Sequence, residues 1–170
     1  MISGSGFFVR EYVIATNYHV VEHGAVGIAK IVNQDPIYRI AGLVAIDPVH
    51  DIALVKLSGV RVSPLQLAND KSAIVGDEVY VAGNPRRLEG TFSSGIISAI
   101  RIDGQHRVLQ ITAPISPGSS GGPVLNSEGK VVGVAMATRT DAQNVNFAAD
   151  VSDLRILLGK IGSPTPLPHR

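Results

Sequence analysis

A serine surrounded by glycines lies in residues 117–123, P-G-S-S-G-G-P, and combines a hydroxyl group with unusual backbone freedom. Glycines allow φ values that side chains forbid and let the chain pass close to a bound substrate. The N–H groups of Gly118 and Ser120 can then point at one spot and stabilise a negative oxygen there. This chemistry is acyl transfer with Ser120 as nucleophile, and it requires a base and a group that orients the base. Turn residues alone also produce such a stretch, so at this point a plain loop remains an alternative.

The base and the group that orients it can come from two residues in the N-terminal part of the chain. His19 follows the β-like run 12–16, and Asp51 precedes the apolar run 52–57. The order His, Asp, Ser is that of the chymotrypsin-type triad, and it differs from the order in subtilisin-like and α/β-hydrolase enzymes. In this scheme His19 takes the proton of Ser120, and Asp51 holds the other ring N–H. Asp51 taken alone is more typical of a solvated strand end.

The other histidines suggest rival or neutral interpretations. His19 and His23 fit the H-x-x-E-H zinc motif, but β-branched valines and Gly24 oppose the sustained helix that this motif needs. We therefore predict no metal site in this chain and an exposed His23. His50 points away from Asp51, because neighbours on an extended chain face opposite sides. His106 and His169 are expected to be solvated.

The elements that must position these residues are strands. Eighteen glycines, ten prolines and many short Val/Ile-rich runs predict an all-β chain of antiparallel strands. The polar stretch 58–72 predicts a connection between two small barrels, residues 1–68 and 69–162. Ser152 as N-cap, apolar spacing at 154, 157 and 158, and Gly159 as stop predict a short C-terminal helix. Residues 163–170 read as a stiff, proline-rich tail of the linker type.

The predicted strands are short and lie throughout the chain. They are expected at 7–10, 12–16, 25–31, 37–46, 52–57, 75–82, 91–102, 108–112, 124–125, 131–137 and 145–149.

Composition excludes several classes of function. The net charge is +1 and 17% of residues are charged, which does not suggest nucleic acid or an anionic membrane as the main partner. Cysteine is absent, so no disulfide framework or thiolate metal site is expected. The first residues lack the pattern of a secretory signal, and no apolar run approaches the ~20 residues that span a bilayer. We expect no cofactor and no membrane insertion.

The motifs, taken together, resemble the protease domain of the Deg/HtrA family of trypsin-like serine proteases. The matching segments run in family order across most of the chain, which is more specific than any one of them. They are G-S-G-F-F-V (4–9), A-T-N-Y-H-V-V (15–21), D-P-V-H-D-I-A-L-V-K-L (47–57), V-G-D-E-V-Y-V-A-G-N-P (75–85), S-G-I-I-S-A-I (94–100), P-G-S-S-G-G-P-V-L-N (117–126), G-K-V-V-G-V (129–134) and N-F-A-A (146–149).

This resemblance implies two antiparallel six-stranded-type β-barrels of the chymotrypsin fold and a serine endopeptidase acting on unfolded or extended polypeptides. It also implies His19, Asp51 and Ser120 as triad, and Gly118, Ser119 and Ser120 as oxyanion loop. The family strand before G-S-G-F is absent, so we expect an incomplete first barrel and a monomer or a trimer. An extracytoplasmic location is implied too.

The chain departs from the family in the loop that leads to the serine. Ser119 stands where the family usually has Asn, and Thr112, Pro114 and Ser116 also differ. Since this loop can switch between ordered and disordered forms in the family, a preformed oxyanion hole does not follow from the sequence.

Substrate preference can be bounded from the residues around the expected pocket. Trypsin-like pockets that select Arg or Lys carry an acid six residues before the serine, and here that residue is Pro114. The predicted substrate-binding residues are Pro114, Ile115, Val145, Asn146, Phe147 and Ala148. They indicate a preference for small or medium aliphatic side chains, with Asn146 as the polar exception.

A non-catalytic module on the same fold is the alternative function. Its cleft would hold an extended peptide, which a strand edge around residues 136–139 would bind by strand addition. The complete triad in the sequence favours catalysis.

Overall fold

The computed structural model describes residues 2–84, 90–136 and 144–168, and it contains two β units and two short helices. The first unit is built from β1 to β5 and the second from β6 to β11. The strands of the first unit are β1 (Phe7–Arg10), β2 (Val13–Thr16), β3 (Ile28–Lys30), β4 (Ile37–Asp47) and β5 (Ile52–Leu57). The strands of the second are β6 (Glu78–Gly83), β7 (Thr91–Asp103), β8 (His106–Ile111), β9 (Pro123–Leu125), β10 (Val131–Met136) and β11 (Asn146–Asp150). The helices are α1 (Tyr18–Val21) and α2 (Val151–Leu158).

The first unit is a curled antiparallel sheet with the strand order β1-β2-β5-β4-β3. Its central strand β5 is buried on both faces except at Lys56, which explains the continuous apolar run in its sequence. The expected six-stranded barrel is therefore five-stranded and open, in agreement with the prediction of an incomplete first barrel.

The second unit is a closed barrel with the strand order β10-β11-β8-β7-β6-β9. Its antiparallel pairs place Asn146 opposite Ile111 and Val81 opposite Val124. Closure removes the strand edges of this unit. The predicted all-β fold class with two β units is confirmed, and most predicted strands agree with the observed ones to within three residues. The predicted strand edge at residues 136–139 lies largely outside the described residues, as does His169.

Helix α2 joins the two units through their shared core. Leu154 and Leu157 pack in one buried cluster with Leu54 of the first unit and Val134 of the second. The helix begins two residues earlier than an N-cap at Ser152 predicts, because Asp150 is the N-cap and its carboxylate accepts the N–H of Ser152. The boundary between residues 68 and 69 stays a prediction.

The C-terminal segment is extended, as predicted, but it is not a free linker. Thr165 exchanges two backbone hydrogen bonds of 2.8 Å with Leu43 of β4. Leu167 is buried in a cluster with Val21 and Val55. The prolines keep this segment extended, and one buried leucine attaches it to the first sheet. Among the described residues, no helix has the length and apolarity needed to cross a membrane.

Candidate active site

The imidazole of His19 is held by the carboxylate of Asp51. Oδ1 of Asp51 accepts the backbone N–H of His19 at 2.9 Å, and Oδ2 lies 2.7 Å from ring atom Nδ1. The two side chains are 40% and 28% exposed, so the pair faces an open site. An Nδ1–H that donates to the carboxylate leaves Nε2 as the basic nitrogen. This arrangement can take up a proton at Nε2.

Asp51 adopts a strained backbone conformation that other residues enforce. Its φ is +56°, which is uncommon for a residue with a side chain. Its carbonyl oxygen accepts the N–H of Tyr18 at 3.1 Å and the side-chain amide of Asn17 at 2.9 Å. Asn17 is the N-cap residue of α1, but its side chain makes no capping hydrogen bond, and the N–H of His19 in the first turn is accepted by Oδ1 of Asp51 instead. Asn17 and Tyr18 therefore attach the turn between β4 and β5 to the segment that carries His19.

Ser120 lies in the loop before β9, next to the segment that leads to His19. The residue is 4% exposed, and its carbonyl oxygen accepts the N–H of Ser5 at 2.8 Å. Gly121 has a φ of +86°, and a Cβ there would lie 2.5 Å from Thr16 Oγ1 and 2.8 Å from the N atom of Asn17. Only glycine permits this approach, so a residue type visible in the sequence brings the serine loop beside the histidine segment. Within the described residues, Ser120 Oγ makes no hydrogen bond to the ring of His19.

The backbone of the serine loop has two N–H groups that find no acceptor in the described part of the chain. The N–H groups of Ser119, Gly121 and Gly122 donate to Ser116, Ala135 and Ser119. Those of Gly118 and Ser120 donate to no acceptor among the described residues. The carbonyl of Ser119 is fixed by Gly122, and because an amide N–H points opposite to its C=O, the N–H of Ser120 is turned the other way. Unused backbone donors next to a serine can stabilise an oxyanion.

Ser5 is a positioning residue that the sequence analysis missed. Its hydroxyl donates to the carbonyl of Gly118 at 2.6 Å and accepts the N–H of Asn84 at 3.0 Å. Its backbone oxygen accepts the hydroxyl of Thr16 at 2.7 Å. One serine thus connects β2, the end of β6 and the loop that carries Ser120. The G-S-G-F segment was noted as a family motif, but nothing in the sequence indicated that its serine would contact a loop more than a hundred residues away.

The predicted pocket residues lie around the start of β11 and the segment before the serine. Pro114 is exposed, Ile115 packs partly against the second core, and Ala148 is fully buried in that core. The side-chain amide of Asn146 donates to the carbonyl of Ala113 at 3.0 Å. Asn146 is the one polar residue among the predicted pocket residues, and its side-chain NH₂ group is held by the backbone of Ala113. Val145 and Phe147 are half-buried beside it.

The histidines do not form the zinc site that the H-x-x-E-H motif would require. His19 lies in a helix of four residues, and the His23 ring contacts Glu22 at 3.4 Å. Among the described residues, neither histidine belongs to a cluster of three metal-binding side chains. The prediction that His50 does not pair with Asp51 is confirmed, but residues 48–51 form a turn instead of an extended stretch, and the ring of His50 pairs with Asp47. The prediction for His106 was incomplete, because this ring is 45% exposed but also bonds to the buried carboxylate of Asp153.

Comparison with known proteins places these features in context. The model of the trypsin-like peptidase domain matches residues 4–134. A probable periplasmic serine endoprotease, DegP-like, of Chlamydia trachomatis is 37% identical over 143 residues, which are 80% of this chain and 28% of that protein. The anti-sigma-I factor RsgI9 of Acetivibrio thermocellus is 37% identical over 145 residues, which are 84% of this chain and 20% of that protein.

A solved structure of an HtrA-type protease has a similar fold. The HtrA-type protease AlgW with a decapeptide superposes with a TM-score of 0.82 at 25% identity, covering 92% of this chain and 50% of that one. The present chain spans less than half the length of the curated relatives it matches.

Proposed function

This chain belongs to the trypsin-like peptidase family and is Deg/HtrA-like within it, and from that premise we propose that it is a serine endopeptidase of unfolded or extended polypeptides. The observation that carries the proposal is the two-point attachment of His19 to Asp51. A histidine held at its backbone N–H and at Nδ1 by one carboxylate has a single basic nitrogen in a fixed direction. This is the requirement for a general base that serves a serine.

The proposed reaction begins with attack of Ser120 Oγ on the scissile carbonyl carbon. The hydroxyl proton passes to Nε2 of His19, and Asp51 stabilises the resulting imidazolium. The C–N bond then breaks, Nε2 returns the proton to the leaving amine, and an acyl-enzyme remains on Ser120. A water molecule, deprotonated by His19, hydrolyses this ester and regenerates the serine.

The unused N–H groups of Gly118 and Ser120 support a preformed oxyanion hole. They would donate to the carbonyl oxygen as it becomes negative, in a loop whose other N–H groups already have acceptors. Ser119 is part of the loop through its carbonyl, which orients the N–H of Ser120. The serine hydroxyl would turn toward Nε2 when substrate binds, since catalytic hydrogen bonds often form only in the complex.

The proposed specificity is for a small or medium aliphatic side chain before the scissile bond. Pro114 stands where an acid would select Arg or Lys. The walls would be Ile115, Val145, Phe147 and Ala148, with the amide of Asn146 held by Ala113. The relative solved with a decapeptide supports a peptide as substrate, and the relative named periplasmic supports an extracytoplasmic location.

Labelling with a serine-directed phosphonate that carries a valine-like side chain tests the proposal. Mass spectrometry should locate a single adduct on Ser120. Ser120→Ala should abolish the adduct and lower kcat by ~10³-fold or more. Ser119→Ala is the matched control, because it removes the neighbouring hydroxyl and keeps the backbone N–H groups.

Each alternative has its own outcome in the same experiment. A protein that binds an unfolded substrate but yields neither turnover nor an adduct would be the silent peptide-binding module. Complete loss of turnover with a chelator, with no phosphonate adduct, would favour zinc chemistry. Full turnover by Ser120→Ala would refute the triad.

A further inference from the structure

Three elements meet at a surface cleft of about 320 Å³ that the proposed catalysis does not use. The turn after β4 contributes His50, the start of β8 contributes His106, and the first turn of α2 contributes Asp153. Each of these side chains offers one nitrogen or oxygen atom, and the three atoms lie within 4.8 Å of one another. Residues distant in the chain thus place two imidazoles and a carboxylate around one point.

Asp153 is a buried carboxylate with an unsatisfied oxygen. Its side chain is 4% exposed, and Oδ1 lies 3.0 Å from Nδ1 of His106. Oδ2 is buried and has no hydrogen-bond partner in the described part of the chain. A buried charged oxygen without a partner is costly, and most such groups are paired or coordinate metals. This oxygen can therefore serve as a ligand for a bound cation.

His50 is oriented in the way common among metal-binding histidines. Its Nδ1 lies 2.6 Å from Oδ2 of Asp47, and the same carboxylate group accepts the backbone N–H of His50 at 3.1 Å. A histidine whose Nδ1–H is held by a carboxylate presents Nε2 as a ligand of fixed direction. The ring centroids of His50 and His106 are 3.9 Å apart and the ring planes are inclined by 43°, so the two rings are in direct contact beside the cleft.

We propose that His50, His106 and Asp153 bind one divalent transition-metal ion of the zinc class in this cleft. Bond lengths of 2.0–2.1 Å in a tetrahedral site imply ligand atoms about 3.3 Å apart. Nδ1 of His106 and Oδ1 of Asp153 are 3.0 Å apart, which is close to this value, and Oδ2 belongs to the same carboxylate. The ligand atoms of the three residues lie within 4.8 Å of one another, so the widest separation has to shorten by up to about 1.5 Å when an ion binds. Two imidazoles with one carboxylate suit zinc, whereas calcium and magnesium require oxygen ligands.

The ion would stabilise the fold and would not take part in the hydrolysis. It would connect the first sheet, the second barrel and α2 at a point where they meet. It would also fix the turn that presents Asp51, because His50 is the residue immediately before Asp51. Lys160 lines the same cleft and would remain at its edge as a positive group that limits the affinity.

Isothermal titration of the full chain with Zn²⁺, after treatment with a chelator, tests this site. We expect one site of micromolar or tighter affinity, no comparable binding of Mg²⁺ or Ca²⁺, and ligand-field absorption of a four-coordinate Co²⁺ complex. A hundredfold excess of Zn²⁺ over its Kd should raise the melting temperature by about 5–10 °C. His106→Asn should weaken binding by more than about 100-fold, and Asp47→Asn by about 10–100-fold through the orientation of His50.

His23→Asn is the matched control, because it removes an exposed histidine outside the cleft and should leave binding unchanged. The variant His106→Asn keeps His19 and Asp51, so any zinc bound at the proposed active site would persist in it. Asp153→Asn is a second variant, to be compared by its melting temperature in chelator. Absence of saturable Zn²⁺ binding to the wild type, or equal affinity in wild type and His106→Asn, would overturn the proposal.

Discussion

Replacement of Asp51 by asparagine tests the proposed mechanism sharply, because the structure dictates how the new amide must lie. The backbone N–H of His19 points at Oδ1, and ring atom Nδ1 lies next to Oδ2. A backbone N–H can only donate, so the oxygen of the amide has to occupy the Oδ1 position. The amide NH₂ then faces Nδ1, which must accept the hydrogen bond. The ring proton is thereby forced onto Nε2.

The expected loss of activity follows from the position of that proton. With hydrogen on Nε2, the nitrogen that should deprotonate Ser120 has no lone pair available. The wrong tautomer costs about 10⁴-fold in kcat in trypsin-type triads, which corresponds to about 5.5 kcal/mol of activation free energy. KM should change little, because Asp51 is not among the predicted substrate-binding residues. Both hydrogen bonds of the side chain are retained in the amide form, so the free energy of unfolding should change by less than about 1 kcal/mol.

Steady-state hydrolysis of a peptide with an aliphatic residue before the scissile bond measures this effect at neutral pH. Asp70→Asn is the matched control, because it makes the same chemical change outside the site. Asp70 forms an exposed ion pair with Arg155. It should retain wild-type kcat. A folded Asp51→Asn protein with kcat within tenfold of the wild type would refute the proposed role of Asp51.

Three further predictions concern the supports of the site. Ser5→Ala removes the 2.6 Å hydrogen bond to the Gly118 carbonyl and should lower kcat by about 10-fold or more with KM unchanged, as measured by steady-state kinetics. Gly121→Ala should lower the unfolding free energy by more than about 3 kcal/mol in urea titrations, since its Cβ would lie 2.4 Å from the Ser5 carbonyl oxygen. Gly129→Ala, at a similar φ of +74° in open space, should cost only about 1 kcal/mol, and equal losses would contradict the steric argument. Burial alone would raise the pKa of Asp47, but hydrogen bonds from the His50 ring and backbone outweigh it and lower the pKa. A carboxyl group whose pKa is lowered by folding stabilises the folded state at pH values above its unfolded-state pKa. Asp47→Asn, measured in chelator, should therefore lower the free energy of unfolding by at most about 1 kcal/mol at pH 7 after solvent screening, and by less as the pH falls below about 4. A loss of unfolding free energy that grows as the pH falls would contradict the direction of this pKa shift.

The sequence predicted those features that depend on residue type, order and local periodicity. Alternating and continuous apolar runs indicated the strands, since a strand buried on both faces has to be apolar throughout, as β5 is. The order His19, Asp51, Ser120 indicated one triad class, which stays a prediction, and the glycines around Ser120 indicated where the backbone could approach another segment, as it does at Gly121. Family motifs in order across the chain predicted the Deg/HtrA-like domain, which the comparisons confirm.

Other features could not be read locally, because they depend on contacts between distant segments. The proline-rich tail looked like a linker until Leu167 was found buried against the first sheet. Asp150 and Ser152 are both good capping residues, and only the backbone geometry decided that Asp150 caps α2.

The sequence by itself determined which chemical groups are available and which strands can form, because these follow from side-chain type and spacing. The tertiary structure alone decided which groups meet. It attached Asp51 to His19 through Asn17 and Tyr18, brought Ser5 to the carbonyl of Gly118, and gathered His50, His106 and Asp153 at one cleft. The physical reason is that such contacts are set by how two curved sheets and one helix pack on a shared core, and no local pattern in the chain encodes that packing.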